Sequence, residues 1–408
     1  MGKLAISGGH PVRTQAPPKW PVVGAREVAA VRRVVASGNW SFDGPRELEF
    51  AEKWTAYQDA KHGLLVANGT VAITVALQAL GVKPNEEVIV PPITWYATAS
   101  APLALGIVPV FADVDLETFC IDPDAVEAAI TPRTRAVIAV HVFGSCADLD
   151  RLKRLCKKHG LYLIEDCAHA HGAKWRGKGV GSQGDFGTFS FQQSKLLTSG
   201  EGGAVVTNTR RRWLLAYSFK NCGRKWKGKQ GEHVFGANYR ITEFQAATLL
   251  EQFRRFPALN VRRERNARYL DRLLGEIEGI EPQRLPKQVT FQAPYIYAFR
   301  YDAAAFRGVP RARFLKALAA EGVPASAIYD EPVPRGELWP ESHWSFPLRQ
   351  GHLRATAGYG AQRLPVAERL CHYEMAGLWH AYLLGTKRDM EDVAAAIRKV
   401  QDHVSELW

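Results

Sequence analysis

"LYLIEDCAHAHGA" (residues 161–173) places an apolar run directly before an acidic pair, Glu165-Asp166, and a short turn rich in small residues and histidine. The run is apolar at successive positions, so the strand it predicts is covered on both faces, as in a parallel sheet packed between helices. Six other runs of strand length share this character: "GLLVA" (63–67), "EVIVP" (87–91), "VPVFA" (108–112), "RAVIAV" (135–140), "FGTFSF" (186–191) and "GAVVT" (203–207). Helical patterns at 70–80, 96–105, 123–130 and 148–158 separate most of them. Strands and helices in alternation predict an α/β fold with a mainly parallel, seven-stranded sheet.

On either side of this core the pattern changes. Residues 1–22, rich in Gly and Pro, read as an irregular arm. In "AREVAAVRRVVASG" (25–38), Val28, Val31, Val34 and Val35 predict one apolar helical face, with Gly38 ending the helix. A long helical pattern begins near residue 243. Beyond residue 285 a strand-like run, "YIYAFRYD" (295–302), mixes with helices at 311–320 and 389–402. These changes divide the chain into an arm (1–22), a large domain (23–255) and a smaller C-terminal α+β domain with its connecting helix (256–408).

The 408 residues are long for one domain, and 46% hydrophobic with 23% charged content is ordinary for a soluble globular chain. No apolar run is long enough for a membrane span, and "MGKLAISGGHPVRT" is too polar for a signal peptide. Six scattered cysteines without a C-x-x-C pair read as reduced thiols in a cytoplasmic protein. "HAH" (169–171) lacks zinc-ligand spacing, so no metal is expected. The net charge of +12 gathers in "FKNCGRKWKGKQGEH" (219–233) and in "VRRERNARYLDRLL" (261–274), the latter read as a helix with a solvated basic face. No nucleic-acid module accompanies it, so the charge suits phosphate or carboxylate ligands instead.

Ligands of open parallel sheets bind beyond the carboxyl ends of the strands. Three groups stand at such ends. In "ANGTVAITVALQALG" (67–81), Gly69 permits close backbone approach, and Thr70 adds a hydroxyl at a helix start that favours phosphate; a plain Thr cap is the competing reading. Asp166 ends its strand, where its carboxylate could pair with a cationic ring nitrogen or merely cap a helix. Lys195, in "SFQQSKLLTSGEGGAVVTN" (190–208), sits among Ser190, Ser194 and Thr198 just before a glycine-rich turn. A lysine partly desolvated there has a lowered pKa and acts as an amine nucleophile. Phosphate cradle, strand-end acid and turn lysine are together what pyridoxal 5′-phosphate requires. Trp95, in "PPITWYATASA" (91–101), offers a flat neighbour for its ring. "GVGSQG" (179–184) fits the dinucleotide fingerprint but precedes a strand instead of following one, so it is set aside.

With "NGT", "EDCAHAHGA", "GDFGTFSFQQSKLLTSGEGG" and "GANYRITEFQAA" in place, the chain resembles the DegT/DnrJ/EryC1/StrS sugar and cyclitol aminotransferases over nearly its whole length. The resemblance implies the fold type I, aspartate-aminotransferase-like architecture. It implies that Lys195 carries the cofactor, Asp166 binds the pyridine nitrogen, and His169 contacts the ring near its 3′ oxygen. Gly69, Thr70 and Ser190 would hold the phosphate, and Trp95 would stack on the ring. Asn238 would reach the phosphate of a neighbouring subunit, making a homodimer with shared sites. Many relatives have Gln in place of His169. Gln192-Gln193 before the lysine resembles the enzymes acting on scyllo-inosose and 2-deoxy-scyllo-inosose, which often use L-glutamine, so the expected donor is L-glutamine or L-glutamate. Aminotransfer to a nucleotide-linked keto-sugar, an amino-hydroxybenzoate-type synthase and a non-catalytic cofactor-binding regulator are the alternatives; Lys195 argues against the dehydratase branch. Lys220, Arg224 and Arg240 are candidates for the donor carboxylate by charge and location.

Overall fold

The computed structural model describes residues 2–339 and 358–408; Met1 of the expected arm and residues 340–357 of the expected small domain lie outside them. The strands are β1 (His62–Val66), β2 (Glu87–Val90), β3 (Val108–Phe111), β4 (Thr134–Val140), β5 (Tyr162–Asp166), β6 (Lys174–Trp175), β7 (Lys178–Gly179), β8 (Phe186–Ser190), β9 (Gly203–Thr207), β10 (Ile280–Pro282), β11 (Val289–Phe291), β12 (Ile296–Tyr301) and β13 (Met375–Trp379). All seven runs expected from the sequence join one sheet, in the order β1-β9-β8-β5-β4-β2-β3. The pairings β8-β5-β4-β2-β3 are parallel, and β9 runs antiparallel to both its neighbours. Strands β2, β8 and β9 are buried at every position, which is why their sequences do not alternate.

Helices α1 (Ala25–Ser37), α2 (Pro45–Tyr57), α3 (Gly69–Leu80), α4 (Ala97–Ala104), α5 (Pro123–Ala129), α6 (Leu149–His159) and α7 (Arg210–Lys220) accompany the sheet. Their ends follow local chemistry. Asn68, Asp122 and Asp148 accept backbone N–H groups at the starts of α3, α5 and α6. On α1 the burial differs from the expected face: Glu27, Ala30 and Val34 are buried, whereas Val28 and Val35 are exposed. Glu27 is drawn inward by Arg255 and Gln252, and this polar contact rotates the helix away from its valine stripe.

Helix α8 (Glu243–Leu274) begins in a capping box at Thr242 and runs 32 residues, through Pro257. It therefore spans the expected boundary at 255/256. Its first half adds Ala246, Leu249 and Phe256 to the core around the large sheet; its second half adds Ala267, Leu270 and Leu274 to another core. That second core includes the sheet β10-β12-β13, α9 (Arg311–Ala320) and the helix Lys387–Asp402. The basic face expected of 261–274 is interrupted, because Arg263 is completely buried.

The N-terminal arm is tied down. Leu4 sits in the second core. Buried Glu321 accepts the amides of Ala5 (2.8 Å) and Val12 (3.0 Å) and the Lys399 ammonium (2.9 Å). Arg13 pairs with Asp389 and Asp392.

Candidate active site

A cleft of about 540 Å³ opens where β1, β2, β4, β5 and β8 end. It brings together Gly69, Thr70, Trp95, Asp166, His169, Ser190 and Lys195, seven of the eight residues singled out above. The eighth, Asn238, is exposed and does not line this cleft.

Asp166 is the last residue of β5, paired with Val140 of β4. No helix follows it, so the capping reading fails. Its Oδ1 accepts the Ala168 amide (3.1 Å) and its Oδ2 the Thr98 hydroxyl (2.9 Å). Burial raises its pKa, while these hydrogen bonds and the nearby Lys195 work in the opposite direction. Lys195 lies in the connection between β8 and β9, 8% exposed, with Nζ 4.3 Å from the centre of the Tyr295 ring. Burial lowers its pKa to about 8, against the pull of Asp166. The turn that follows needs its glycines: Gly200 has φ +87°, a conformation that other residues adopt with strain.

Close approach is equally real at the start of α3. A Cβ on Gly69 would stand 2.7 Å from Cβ of Ser190, closing the gap between the helix start and β8. Asn68, not Thr70, caps that helix through the Val71 amide (2.9 Å), leaving the Thr70 hydroxyl on the cleft. His169 stacks on Tyr295 (4.4 Å between centroids), and its Nδ1 has no hydrogen-bond partner among the described residues. Burial, with Lys195 nearby, holds its pKa well below the ordinary value, so the ring is neutral. Trp95 is half exposed at the cleft wall, next to Tyr96, so it is not a core residue.

Glu165 points the other way. Its carboxylate accepts amides from Gly181 (2.8 Å), Gln183 (2.7 Å) and Gly184 (2.6 Å). His141 Nε2 adds a fourth bond (3.0 Å), and the Ala147 amide donates to His141 Nδ1 (3.1 Å), which fixes the proton on Nε2. The "GVGSQG" segment is thus an anion nest for the chain's own carboxylate. Cys167 completes a group with His141 and Glu165 within 4.8 Å. The glutamate's oxygens there are already taken.

Thr94, Thr98, Gln192, Ser194, Glu201, Tyr295 and Tyr329 also line the cleft and were not singled out as site residues from the sequence. Gln192 and Ser194 flank the lysine and were within reach of motif reading. Tyr295 and Tyr329 arrive from distant segments with no local signal. Lys220 is excluded as a donor-carboxylate ligand, because it is buried against Glu47 and donates to Leu65 O (3.2 Å). Arg224 and Arg240 both lie over the exposed ring of Phe42, outside this cleft.

The profile of the DegT/DnrJ/EryC1/StrS aminotransferase family matches residues 21–398. The chain belongs to that family. It is 42% identical over 423 residues to the L-glutamine:2-deoxy-scyllo-inosose aminotransferase of Streptoalloteichus tenebrarius, covering 99% of each. It is 41% identical over 411 residues to a putative L-glutamine:3-amino-2,3-dideoxy-scyllo-inosose aminotransferase of Micromonospora echinospora, covering 99% of this chain and 98% of that one. Among solved structures, 3-amino-5-hydroxybenzoic acid synthase superposes with a TM-score of 0.84 at 32% identity, over 97% of this chain and all of the other. The aminotransferase is therefore a fold type I enzyme dependent on pyridoxal 5′-phosphate. Its site fits that group: a buried acid and a buried lysine share one cleft, a glycine opens the helix start, and His169 has an unpaired ring nitrogen.

Proposed function

We propose that this aminotransferase moves an amino group from L-glutamine to a keto-cyclitol of the 2-deoxy-scyllo-inosose class, as a cytoplasmic homodimer. The observation that carries the reading is full-length similarity to relatives named for these substrates. The cleft agrees with it. Apart from Asp166, Glu201, Lys195, the neutral His169 and the Trp95 indole, its polar side chains are hydroxyls and amides, and no arginine lines it among the described residues. Such a lining suits an uncharged polyol ring.

In this reading Lys195 would bind the cofactor's aldehyde carbon, and Asp166 would pair with its ring nitrogen. Gly69, Thr70 and Ser190 hold the phosphate, while His169 and Trp95 meet the ring. When bound, pyridoxal phosphate supplies an electron sink and stores the amino group between two half-reactions. Freed from the aldehyde carbon by the incoming donor amine, Lys195 Nζ would take the proton from the donor's α-carbon and later return one, a task suited to an amine poised near neutrality. Asp166, whose carboxylate accepts from Thr98 and the Ala168 amide, would hold a proton on the ring nitrogen. Exposed Asn238 serves the phosphate of the partner subunit. The test is single turnover of the pyridoxamine form against keto-cyclitols and nucleotide keto-sugars. Turnover with 2-deoxy-scyllo-inosose supports the reading, and turnover confined to nucleotide sugars replaces it.

A further inference from the structure

The two residues before Lys195 have backbone carbonyls that take no backbone hydrogen bond among the described residues, yet both are held. Trp20 of the N-terminal arm donates its indole Nε1–H to Gln193 O (3.0 Å). His380, the residue after β13, lies 3.0 Å from Ser194 O through Nε2. A carbonyl only accepts, so the His380 proton is on Nε2. The two rings touch edge to face, with centroids 4.8 Å apart. Tyr295, which meets the Lys195 amine, stacks on the same His380 (6.0 Å) and meets the Ser194 hydroxyl (2.8 Å).

Arg263 explains why Trp20 stays. Its guanidinium is fully buried on α8 and has no hydrogen-bond partner among the described residues. Its carbon lies 4.8 Å from the centre of the Trp20 ring. Desolvation lowers its pKa to about 9, so it remains a cation at neutral pH. A desolvated cation attracts an aromatic face strongly. The indole is thus held from behind by a charge and directed at Gln193.

We propose that Trp20 and His380 are positioning residues for Lys195, and that Arg263 sets the indole in place. They form a two-point clamp on the Gln193 and Ser194 carbonyls, joining the arm and β13 to the reacting segment. The proposal rests on Lys195 being the residue that carries the cofactor. Neither clamp residue lines the cleft, so loss of the clamp acts on orientation and not on occupancy.

The test uses holoenzyme. Borohydride reduction followed by peptide mass mapping first locates the cofactor in the wild type; a label away from Lys195 overturns both the site reading and the clamp. Trp20→Phe keeps the stacking and loses the donor, and His380→Phe does the same at the second point. Each is expected to bind cofactor stoichiometrically while its visible circular dichroism band weakens. The donor half-reaction at saturating glutamine is expected to slow about tenfold, the size of one lost hydrogen bond, with the half-saturating concentration unchanged. His380→Gln, whose amide can reach the same carbonyl, is expected to recover most of the rate. Should His380→Phe fail to fold, Trp20→Phe and the comparison of His380→Gln with His380→Leu decide in its place. With Lys195 labelled, wild-type dichroism and rates within twofold in the folded variants overturn the clamp.

Discussion

Lys195 differs from a surface lysine by its burial, and the difference has a chemical signature. Burial disfavours the charged amine, so in cofactor-free enzyme the proton leaves near pH 8 instead of near 10.5. Acylation of Lys195 by an amine-selective reagent, followed by peptide mapping from pH 6 to 11, should rise with a midpoint near 8, below those of the exposed lysines. A midpoint at the ordinary value would mean that the amine is solvated. Asp166 bears the complementary expectation. Asp166→Asn keeps the shape and the Thr98 contact but removes the charge opposite a cationic ring nitrogen. Cofactor should remain bound, and turnover should fall at least about a hundredfold, because an interaction that strengthens in the transition state is lost. Both residues were legible in the sequence, since each stands at a strand end or in a glycine-rich turn. Tyr295 was not. It meets Lys195 only because the residue before β12 is brought onto the connection after β8, a distant part of the chain, and nothing local to "APYIYAF" records that neighbour.

At the level of elements, β5 faces two ways: Asp166 toward the cleft and Glu165 into the nest formed by residues 181–184 and His141. Burial alone would raise the Glu165 pKa, but the hydrogen bonds from His141 and the loop amides outweigh it, and the net shift is downward. A carboxylate whose pKa is lower folded than unfolded adds stability above the unfolded value, and this is lost as pH falls through the folded value. Glu165→Gln should therefore cost about 2 kcal/mol at pH 7, with the gap to wild type closing below about pH 4.5 in urea melts. A constant gap across that range would mean that the charge is irrelevant. The same loop shows where motif reading stops. "GVGSQG" was correctly set aside as a dinucleotide site because it precedes β8, but its use as a cradle for an internal acid depends on the register of β5. The valine stripe of α1 misled for a related reason, since periodicity does not record the Arg255–Glu27 contact that turns the helix. The seven strands were fully legible because burial on both faces leaves little choice of side chain.

On the scale of the whole molecule, Asn238 stands outside the cleft its own chain builds. If it completes the partner's site, Lys195→Ala and Asn238→Ala subunits refolded together should regain roughly a quarter of wild-type activity, since half the dimers are mixed and each has one intact site of two. No recovery after subunit exchange is verified by mass would place Asn238 in service to its own subunit or none. The boundary expected at 255/256 coincides with no break in the chain, because α8 crosses it and Pro257 falls inside the helix. The arm, too, gave no hint in its Gly- and Pro-rich composition of how firmly it is attached. The Leu4 amide reaches the Glu406 carboxylate (3.1 Å), so the two ends of the chain meet. This meeting sets an order of events at the ribosome. Every strand of the large sheet has emerged by residue 207, whereas the arm waits for Glu321, Asp389, Lys399 and Glu406. The arm therefore docks after the strands of the large sheet are made, and Trp20 meets Arg263 and His380 only once those later segments have followed.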